Sequence, residues 1–383
     1  MGQLLIVGFG GYAKDDNGNL TIDDQDGTVF KEQSAIARAI RDYHVGGVIL
    51  FSHVYRTSQS KKYLKDRNII NPTQLATLTS QLQHYSAVMR EQQGLDPLPL
   101  FIAIDQEGGM ISRLTSERGF TLPTITAQAL GSKEESATSN KEKQLAREHS
   151  YAYMQQLAQR LHALHINVNF APVVDVNINP MSPVIGALGR SYSRDPTIVV
   201  HQAQLFIKAL HQYQIIAVLK HFPGHGSAGV DSHRGMTDVT DTYDPNLELA
   251  PYRELIEQGF HDMIMTTHIV NGQLDQSQCK DGRKEDRATW CPGTLSKKTL
   301  TILRKELGFK GVIISDDMTM RAITDEYPLS IALEKAVNAG VDMFIVANHQ
   351  HDQTNEVLVT LAKLVQAKKI AQADIERSYA RVV

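Results

Sequence analysis

Eight short apolar runs recur along the chain, each parted from the next by a stretch of helical pattern. No other feature constrains the fold as tightly. The runs are Leu4–Phe9, Gly47–Phe51, Leu100–Asp105, Val168–Val176, Ala217–Leu219, Met263–His268, Val312–Asp316 and Met343–Ala347. They are rich in Val, Ile and Leu, as strands buried on both faces of a parallel sheet are. Helical patterns cover Gln33–Tyr43, Pro72–Gln92, Lys141–Leu164, Pro196–His211, Pro245–Gln258, Ser296–Leu307 and Leu329–Ala339, with a final helix around Glu356–Ala380. Strand and helix in strict alternation predict an α/β protein, a (β/α)8 TIM-type barrel. An open doubly wound sheet with extra strands is the alternative. Gly8, Gly10 and Gly11 do not have dinucleotide-fingerprint spacing, and no clear helix opens after them.

Local signals place the helix ends. Asn71 before Pro72 and Asp244 before Pro245 set a capping side chain ahead of proline at the first helical position. Ser296 caps the helix that follows it. Gly340 is a helix stop. The 383 residues read as one barrel over 1–383, with long loops at about 52–71, 177–196, 222–236 and 271–292. There is no solenoid repeat, low-complexity tract or domain linker.

The densest chemistry lies in Leu219–His233, LKHFPGHGSAGVDSH. It follows the apolar run Ile215–Leu219 and turns polar at Lys220 and His221. Pro223, Gly224 and Gly226 then open a loop. Within a few residues that loop is expected to carry His221, His225, Asp231 and His233. Histidines capping a structural turn are the plain reading; proton donors and acceptors at the end of a barrel strand are the functional one.

The other strand ends decide between them. The third run ends in Asp105-Gln106-Glu107-Gly108-Gly109, with Arg113 close behind. The fourth holds Asp175 and leads to Gly189-Arg190-Ser191. The sixth ends in His268, the seventh in Ser315-Asp316-Asp317-Met318, and the eighth near Asn348. Acids, bases and hydrogen-bonding groups stand on separate strands at one end of a barrel, where barrel enzymes keep their chemistry. At least one of Asp316 and Asp317 is expected to cap the next turn. A net charge of −3 leaves no footprint for nucleic acid, and no apolar run is long enough to span a membrane. No leader pattern is read ahead of Leu4–Phe9, a natural leader removed from this sequence is the alternative, and the expectation is left open between cytoplasm and export to periplasm or cell surface. Cys279 and Cys291 either form a loop-closing disulfide, which goes with an oxidising compartment, or are two free thiols. Their spacing is not a zinc signature.

Taken together these stretches resemble the β-N-acetylhexosaminidases of glycoside hydrolase family 3. Lys220–Gly226 (KHFPGHG) with Asp231-Ser232-His233 resembles the family signature. Gly2-Gln3-Leu4 with Gly8-Phe9, Gly46–Phe51, Asp105–Gly109 with Arg113, Asn169–Val173, Ile185-Gly186, Gly189–Tyr192 and Ser315–Met318 match in order. The resemblance implies a (β/α)8 barrel that removes terminal N-acetyl-β-D-glucosamine with retention of configuration, from peptidoglycan-derived or chitin-like fragments. It implies Asp316 as nucleophile, His233 as general acid/base and Asp231 as the carboxylate orienting it. Asp105, Arg113, Arg190, Lys220 and His221 match residues that hold the sugar, and His225 is read as organising its loop. No metal ligand and no cofactor are implied, the partner is a small N-acetylglucosaminide, and a monomer is expected.

The chemistry is sound on its own terms. Retention needs a nucleophile on one face of the anomeric carbon and a proton donor beside the leaving oxygen. A histidine donates and then accepts a proton near neutral pH, and an aspartate two residues away steadies it. Larger family members take this group from a second domain; here little chain follows the eighth strand, so the loop dyad is expected to supply it. Met110 departs from a family position where a basic residue is common, and Ser227–Val230 lacks a common acidic one, so the aglycone side is the least determined. Three rivals remain: phosphorolysis on the same scaffold; a metal-dependent hydrolase using His221, His225, Asp231 and His233; and a sugar-binding protein without catalysis.

Overall fold

The structure is a computed structural model. It describes residues 1–10, 12–14, 20–22, 28–57, 60–122, 124–231, 235–280, 286–349 and 351–383. Eight parallel strands close into a barrel. They are β1 (Leu5–Val7), β2 (Gly47–Leu50), β3 (Phe101–Ile104), β4 (Val168–Asn169), β5 (Ile216–Phe222), β6 (Met263–Thr266), β7 (Val312–Asp317) and β8 (Met343–Val346). Closure is made by β1, which pairs Leu5 with Phe344 on one side and Ile6 with Gly47 on the other. The open-sheet alternative is therefore excluded.

The apolar runs are buried throughout because each strand feeds two cores. Side chains alternate across a strand. Ile6, Ile49, Phe101, Ala103, Val168, Val218, Met263, Val312, Ile314, Met343 and Ile345 fill the barrel interior. Their neighbours Leu5, Val7, Val48, Leu50, Ile102, Ile104, Leu219, Ile264, Ile313, Phe344 and Val346 pack outward under the helices. The outer ring includes α1 (Ala35–Tyr43), α2 (Pro72–Gln92), α3 (Asn140–Ala163), α4 (Pro196–Gln212), α5 (Ala250–Glu257), α6 (Lys297–Thr301), α7 (Leu329–Ala339) and α8 (Thr354–Gln366). Asn71 accepts the Gln74 N–H at 2.9 Å, Asp244 that of Asn246 at 2.9 Å and Ser296 that of Thr299 at 3.0 Å. Gly340 ends α7 at a φ of 113°, in the left-handed region.

Several boundaries differ from expectation for local reasons. Val168–Val176 is a strand only at Val168–Asn169; Pro172 has no N–H for a ladder, and the chain follows β5 by single bonds such as Val174 N–H to the Lys220 carbonyl, 2.9 Å. Strand β5 runs on through Lys220 and His221 to Phe222, so both polar side chains sit on the strand and not in the loop. Pro245–Gln258 is two helices, since Pro251 restarts it as α5. The Ser296–Leu307 helix passes from α6 into a π-helical turn, Ile302–Glu306. The final helix is α8 plus Gln372–Val382, parted around Lys368, whose φ is 57°. The 52–71 loop carries an antiparallel hairpin, His53–Thr57 with Ser60–Asp66. Cys279 and Cys291 are joined by a disulfide within the 271–292 loop.

Candidate active site

The carboxyl ends of β3, β4 and β5 and the loops after them bring five charged side chains into one cradle. Lys220, at the inner end of β5, is buried. Its Nζ donates to Asp105 Oδ1 at 2.8 Å and lies 2.7 Å from Glu107 Oε1. Arg190, from the loop after β4, clamps Glu107 with both arms: Nε to Oε2 and Nη2 to Oε1, each 2.7 Å. Arg113 reaches Asp105 Oδ2 at 3.3 Å. Gln106 shapes this corner, its Oε1 accepting the N–H groups of Arg113 and Leu114 at 2.8 and 3.0 Å. Gly108 turns the chain at a φ of 108°, where a Cβ would lie 2.2 Å from the Ile125 carbonyl oxygen.

Beside the cradle, Asp175 lies fully buried. Its Oδ2 is 2.7 Å from His221 Nδ1, and its Oδ1 accepts the N–H groups of His221 and His225 at 3.1 and 2.8 Å. His221 Nε2 in turn lies 3.4 Å from Arg190 Nη2. Burial works against every charge here, and the partners overcome it. Burial alone would raise the Asp105 carboxyl, but Lys220 and Arg113 hold it well below the carboxylate range. Glu107 is lowered in the same way by Arg190 and Lys220, and Asp175 by His221. Lys220 is raised: its two carboxylates outweigh the burial that would discharge it.

On the far side of the barrel, β7 delivers Asp316 and Asp317. Pairing with β8 slips between Ile314 and Asp317, a bulge that re-aims the side chains at the strand end. The two aspartates then part company. Asp317 is the turn cap: its Oδ1 accepts the N–H groups of Thr319 and Ala347, each at 3.0 Å, and its Oδ2 the Thr319 hydroxyl at 2.7 Å. Asp316 is partly open at the barrel mouth, with Oδ1 accepting the Asp317 N–H at 2.7 Å. His268, at the end of β6, is buried between Thr294 Oγ1 and the Asp317 carbonyl, 2.9 and 3.0 Å, and steadies that bulge. Among the described residues no group of three His, Cys, Asp or Glu side chains is arranged to hold a metal ion.

The structure thus gathers Asp105, Arg113, Arg190, Lys220 and His221 into one network. Asp231 is half-buried at the end of the loop after β5. His233 lies outside the described residues. Sequence reasoning missed two members. Glu107 is the counter-charge shared by Lys220 and Arg190; its spacing of two from Asp105 in extended chain, which puts both on one side, was the available signal. Arg67, buried at the end of the 52–71 loop, donates to the Phe9 and Ala347 carbonyls at 2.8 and 2.6 Å and lies 4.6 Å over the Phe51 ring. It ties the ends of β1, β2 and β8 together beside Arg113, and nothing in the sequence singled it out.

A closed parallel barrel that gathers acids and cations at the carboxyl ends of its strands has the architecture of a barrel enzyme. The profile of the glycosyl hydrolase family 3 N-terminal domain matches residues 1–383, and the chain belongs to that family. It is 34% identical over 355 residues to beta-hexosaminidase A of Pseudoalteromonas piscicida, covering 91% of this chain but only 54% of that protein. A beta-hexosaminidase of Nitrosomonas eutropha is 32% identical over 325 residues, 83% of this chain and 77% of the relative. Among solved structures, a family 3 beta-N-acetylglucosaminidase from Paenibacillus sp. superposes with a TM-score of 0.75 at 31% identity, over all of this chain and 60% of that one.

Proposed function

We propose that the chain is a retaining β-N-acetylglucosaminidase acting on terminal N-acetyl-β-D-glucosamine of peptidoglycan-derived or chitin-like fragments. The charged cradle carries the reading. It holds two carboxylate acceptors and three cationic donors within one hydrogen-bonded network before any sugar arrives. Sugar hydroxyls are donors and acceptors both, and such a cradle orients them without further rearrangement.

In this reading Asp316 attacks the anomeric carbon and expels the aglycone oxygen. His233 gives that oxygen its proton, and Asp231 holds the imidazole in its donating form. A water then enters from the vacated side. His233 takes its proton while the water oxygen displaces the Asp316 carboxylate, giving the sugar with its configuration retained. The names of the relatives agree with the amino-sugar substrate.

The test is turnover of 4-nitrophenyl N-acetyl-β-D-glucosaminide without added metal or phosphate, in wild type, Asp316→Asn and His233→Ala. Wild type is expected to be active and Asp316→Asn nearly dead. His233→Ala should form the glycosyl-enzyme readily, because this leaving group needs little protonation, and release it slowly. Full activity in Asp316→Asn would remove the nucleophile assignment. Activity only on the corresponding glucoside would remove the amino-sugar specificity.

A further inference from the structure

Asp175 is a carboxylate that the proposed chemistry leaves without a task. Its side chain is fully buried, whereas His221 and Arg190 each keep 9% of theirs exposed, so those two can meet a ligand and Asp175 cannot. The chain beside it is laid along β5: the Val174 N–H donates to the Lys220 carbonyl at 2.9 Å. Asp175 Oδ1 is then pinned by the N–H groups of His221 and His225, at 3.1 and 2.8 Å. Two donors on one oxygen leave the carboxylate little room to turn, and its Oδ2 is set 2.7 Å from His221 Nδ1. Across the ring, Nε2 lies 3.4 Å from Arg190 Nη2, a nitrogen that already donates to Glu107 Oε1 at 2.7 Å.

We infer that Asp175 is a positioning residue of the sugar cradle: it holds His221 with the proton on Nδ1, so that Nε2 and Arg190 Nη2 face one sugar hydroxyl as acceptor and donor. The inference rests on the reading of the cradle as the sugar site given above. A carboxylate accepts and cannot donate, so the ring proton stands on Nδ1. Guanidinium nitrogens only donate, so a proton on Nε2 would set N–H against N–H. Charge gives the same answer. Within the network Asp105, Glu107 and Asp175 balance Lys220, Arg190 and Arg113 one for one. A second ring proton would leave a surplus positive charge in a buried cluster. His225, whose ring centre lies 5.9 Å from that of His221, adds none, since burial pushes its imidazole down to about 4.

The contact between Nε2 and Nη2 is longer than a good hydrogen bond, which leaves the imidazole lone pair to a better donor. A hydroxyl is that donor, and its oxygen accepts from Nη2 in the same position. An ether, a fluorine or a hydrogen at that carbon cannot donate to Nε2. The pair therefore selects a free hydroxyl, a demand that Lys220 and Arg113, donors alone, do not make. Asp175→Asn reverses it. The amide oxygen serves the two backbone N–H groups, and the NH2 then faces His221 Nδ1. That drives the ring proton to Nε2 and leaves two donors where the hydroxyl needs one acceptor.

The experiment has two parts. The first is NMR of isotope-labelled histidine nitrogens in the wild type at neutral pH, with His221→Gln to assign the resonances. It is run on the free protein and with N-acetyl-D-glucosamine at a concentration that saturates inhibition. His221 is expected to show a protonated Nδ1 and a bare Nε2. Added sugar should move the Nε2 resonance upfield, as an accepted hydrogen bond does, and leave Nδ1 nearly unchanged. A proton on Nε2 in the free protein, or an Nε2 that bound sugar leaves unmoved, would overturn the inference, even if Asp175→Asn failed to fold. The second part is kcat/KM for 4-nitrophenyl N-acetyl-β-D-glucosaminide and for its monodeoxy and deoxyfluoro analogues at each free hydroxyl, in wild type and Asp175→Asn. In the wild type the hydroxyl read by the pair should cost about a hundredfold with either replacement. In Asp175→Asn the parent substrate should lose about tenfold through KM, and the penalty at that one position should shrink about tenfold with it. Penalties at the other positions should stand. A purely structural role would lower every substrate alike and leave all ratios as they were, which would also overturn the inference. The two readings fail separately. A wild type that neither cleaves the parent nor binds the sugar removes the cradle reading; an active wild type with its proton on Nε2 removes only the role of Asp175.

Discussion

Replacing Lys220 by methionine removes one positive charge from between two carboxylates. In the wild type its Nζ is 2.8 Å from Asp105 Oδ1 and 2.7 Å from Glu107 Oε1, on a side chain only 3% exposed. Methionine follows the aliphatic stem, so the change is mainly electrostatic. Each charge-assisted bond contributes about 1.5–3 kcal/mol, and stripping one partner from a buried ion pair costs about 3–5 kcal/mol. Arg190 still clamps Glu107 and Arg113 still reaches Asp105, which keeps the loss at the lower end, about 3 kcal/mol near neutral pH. The assay is urea unfolding of wild type and Lys220→Met as pH is lowered. Wild-type Asp105 and Glu107 are held low, so their contribution persists above the ordinary carboxylate range and fades as pH falls through their depressed values. In Lys220→Met both carboxyls rise. On acidification the variant takes up a proton first and is relieved of its repulsion, so the gap between the proteins narrows. Adding Asp105→Asn to Lys220→Met should recover part of the loss, a coupling expected between groups in contact. A loss below about 1 kcal/mol that does not change with pH would show that solvent screens the cradle, and the argument for a preformed charged site would fail.

Four further outcomes are expected. Asp175→Asn can keep an oxygen for the two backbone N–H groups at Oδ1, but it removes the negative charge and puts an NH2 group against His221 Nδ1 in place of Oδ2; it should destabilise by about 1.5–3 kcal/mol while raising KM about tenfold, read by denaturant titration and steady-state kinetics. Gly226→Ala should lose most of its kcat, since a Cβ 1.7 Å from the Val176 carbonyl oxygen displaces the loop; an active variant would show that the loop has slack. Cys279→Ser opens a covalent loop of sequence separation 12, so about 3 kcal/mol of stability should go, seen as a lower urea midpoint than the oxidised wild type. Asp105, Glu107 and Asp175 are all held below their ordinary values, so acid should destabilise the fold steeply below about pH 4; a flat stability curve there would contradict the burial of these charges.

The barrel was legible because strand burial on both faces leaves an unbroken apolar run, and eight such runs leave few other closures. Boundaries were legible where a side chain makes the end. Asn71, Asp244, Ser296 and Gly340 do so through one local bond or one dihedral, and all four sit where their chemistry puts them. What escaped notice depended on distant partners. Whether Lys220 and His221 extend β5 or begin a loop is decided by β6 and by Asp175, which offer them hydrogen bonds that no local pattern records. Glu107 carries only its spacing of two from Asp105 as a local mark; Arg190, far along the chain, selects it. Arg67 has no local mark within the 52–71 stretch, whereas three loop carbonyls from both ends of the chain accept its guanidinium.

The site divides into a part fixed by the barrel and a part carried by a loop, and the division follows from what each must do. In the proposed reading Asp105, Arg113, Arg190, Lys220 and His221, braced by Glu107 and Asp175, hold a sugar that is the same in every turnover. They sit on strand ends or are locked to them, with three carboxylates set against Lys220, Arg190 and Arg113 so that no large charge is left over. Such a cluster is costly to assemble in the fold and changes little when substrate binds, which is what preorganised electrostatics require. The proposed acid/base has two tasks on one atom in succession, giving a proton to the aglycone and taking one from water, and between them the aglycone must leave. A group rigidly built into the barrel wall would obstruct that exit. A loop seated by the Gly226 N–H on Glu248 Oε2 and by the Tyr243 hydroxyl on the Pro223 carbonyl is released by breaking few bonds. Stiffening the seat should therefore trade product release against chemistry: a variant that anchors residues 223–227 more firmly is expected to speed formation of the glycosyl-enzyme and slow overall turnover, and pre-steady-state release of 4-nitrophenol separates the two.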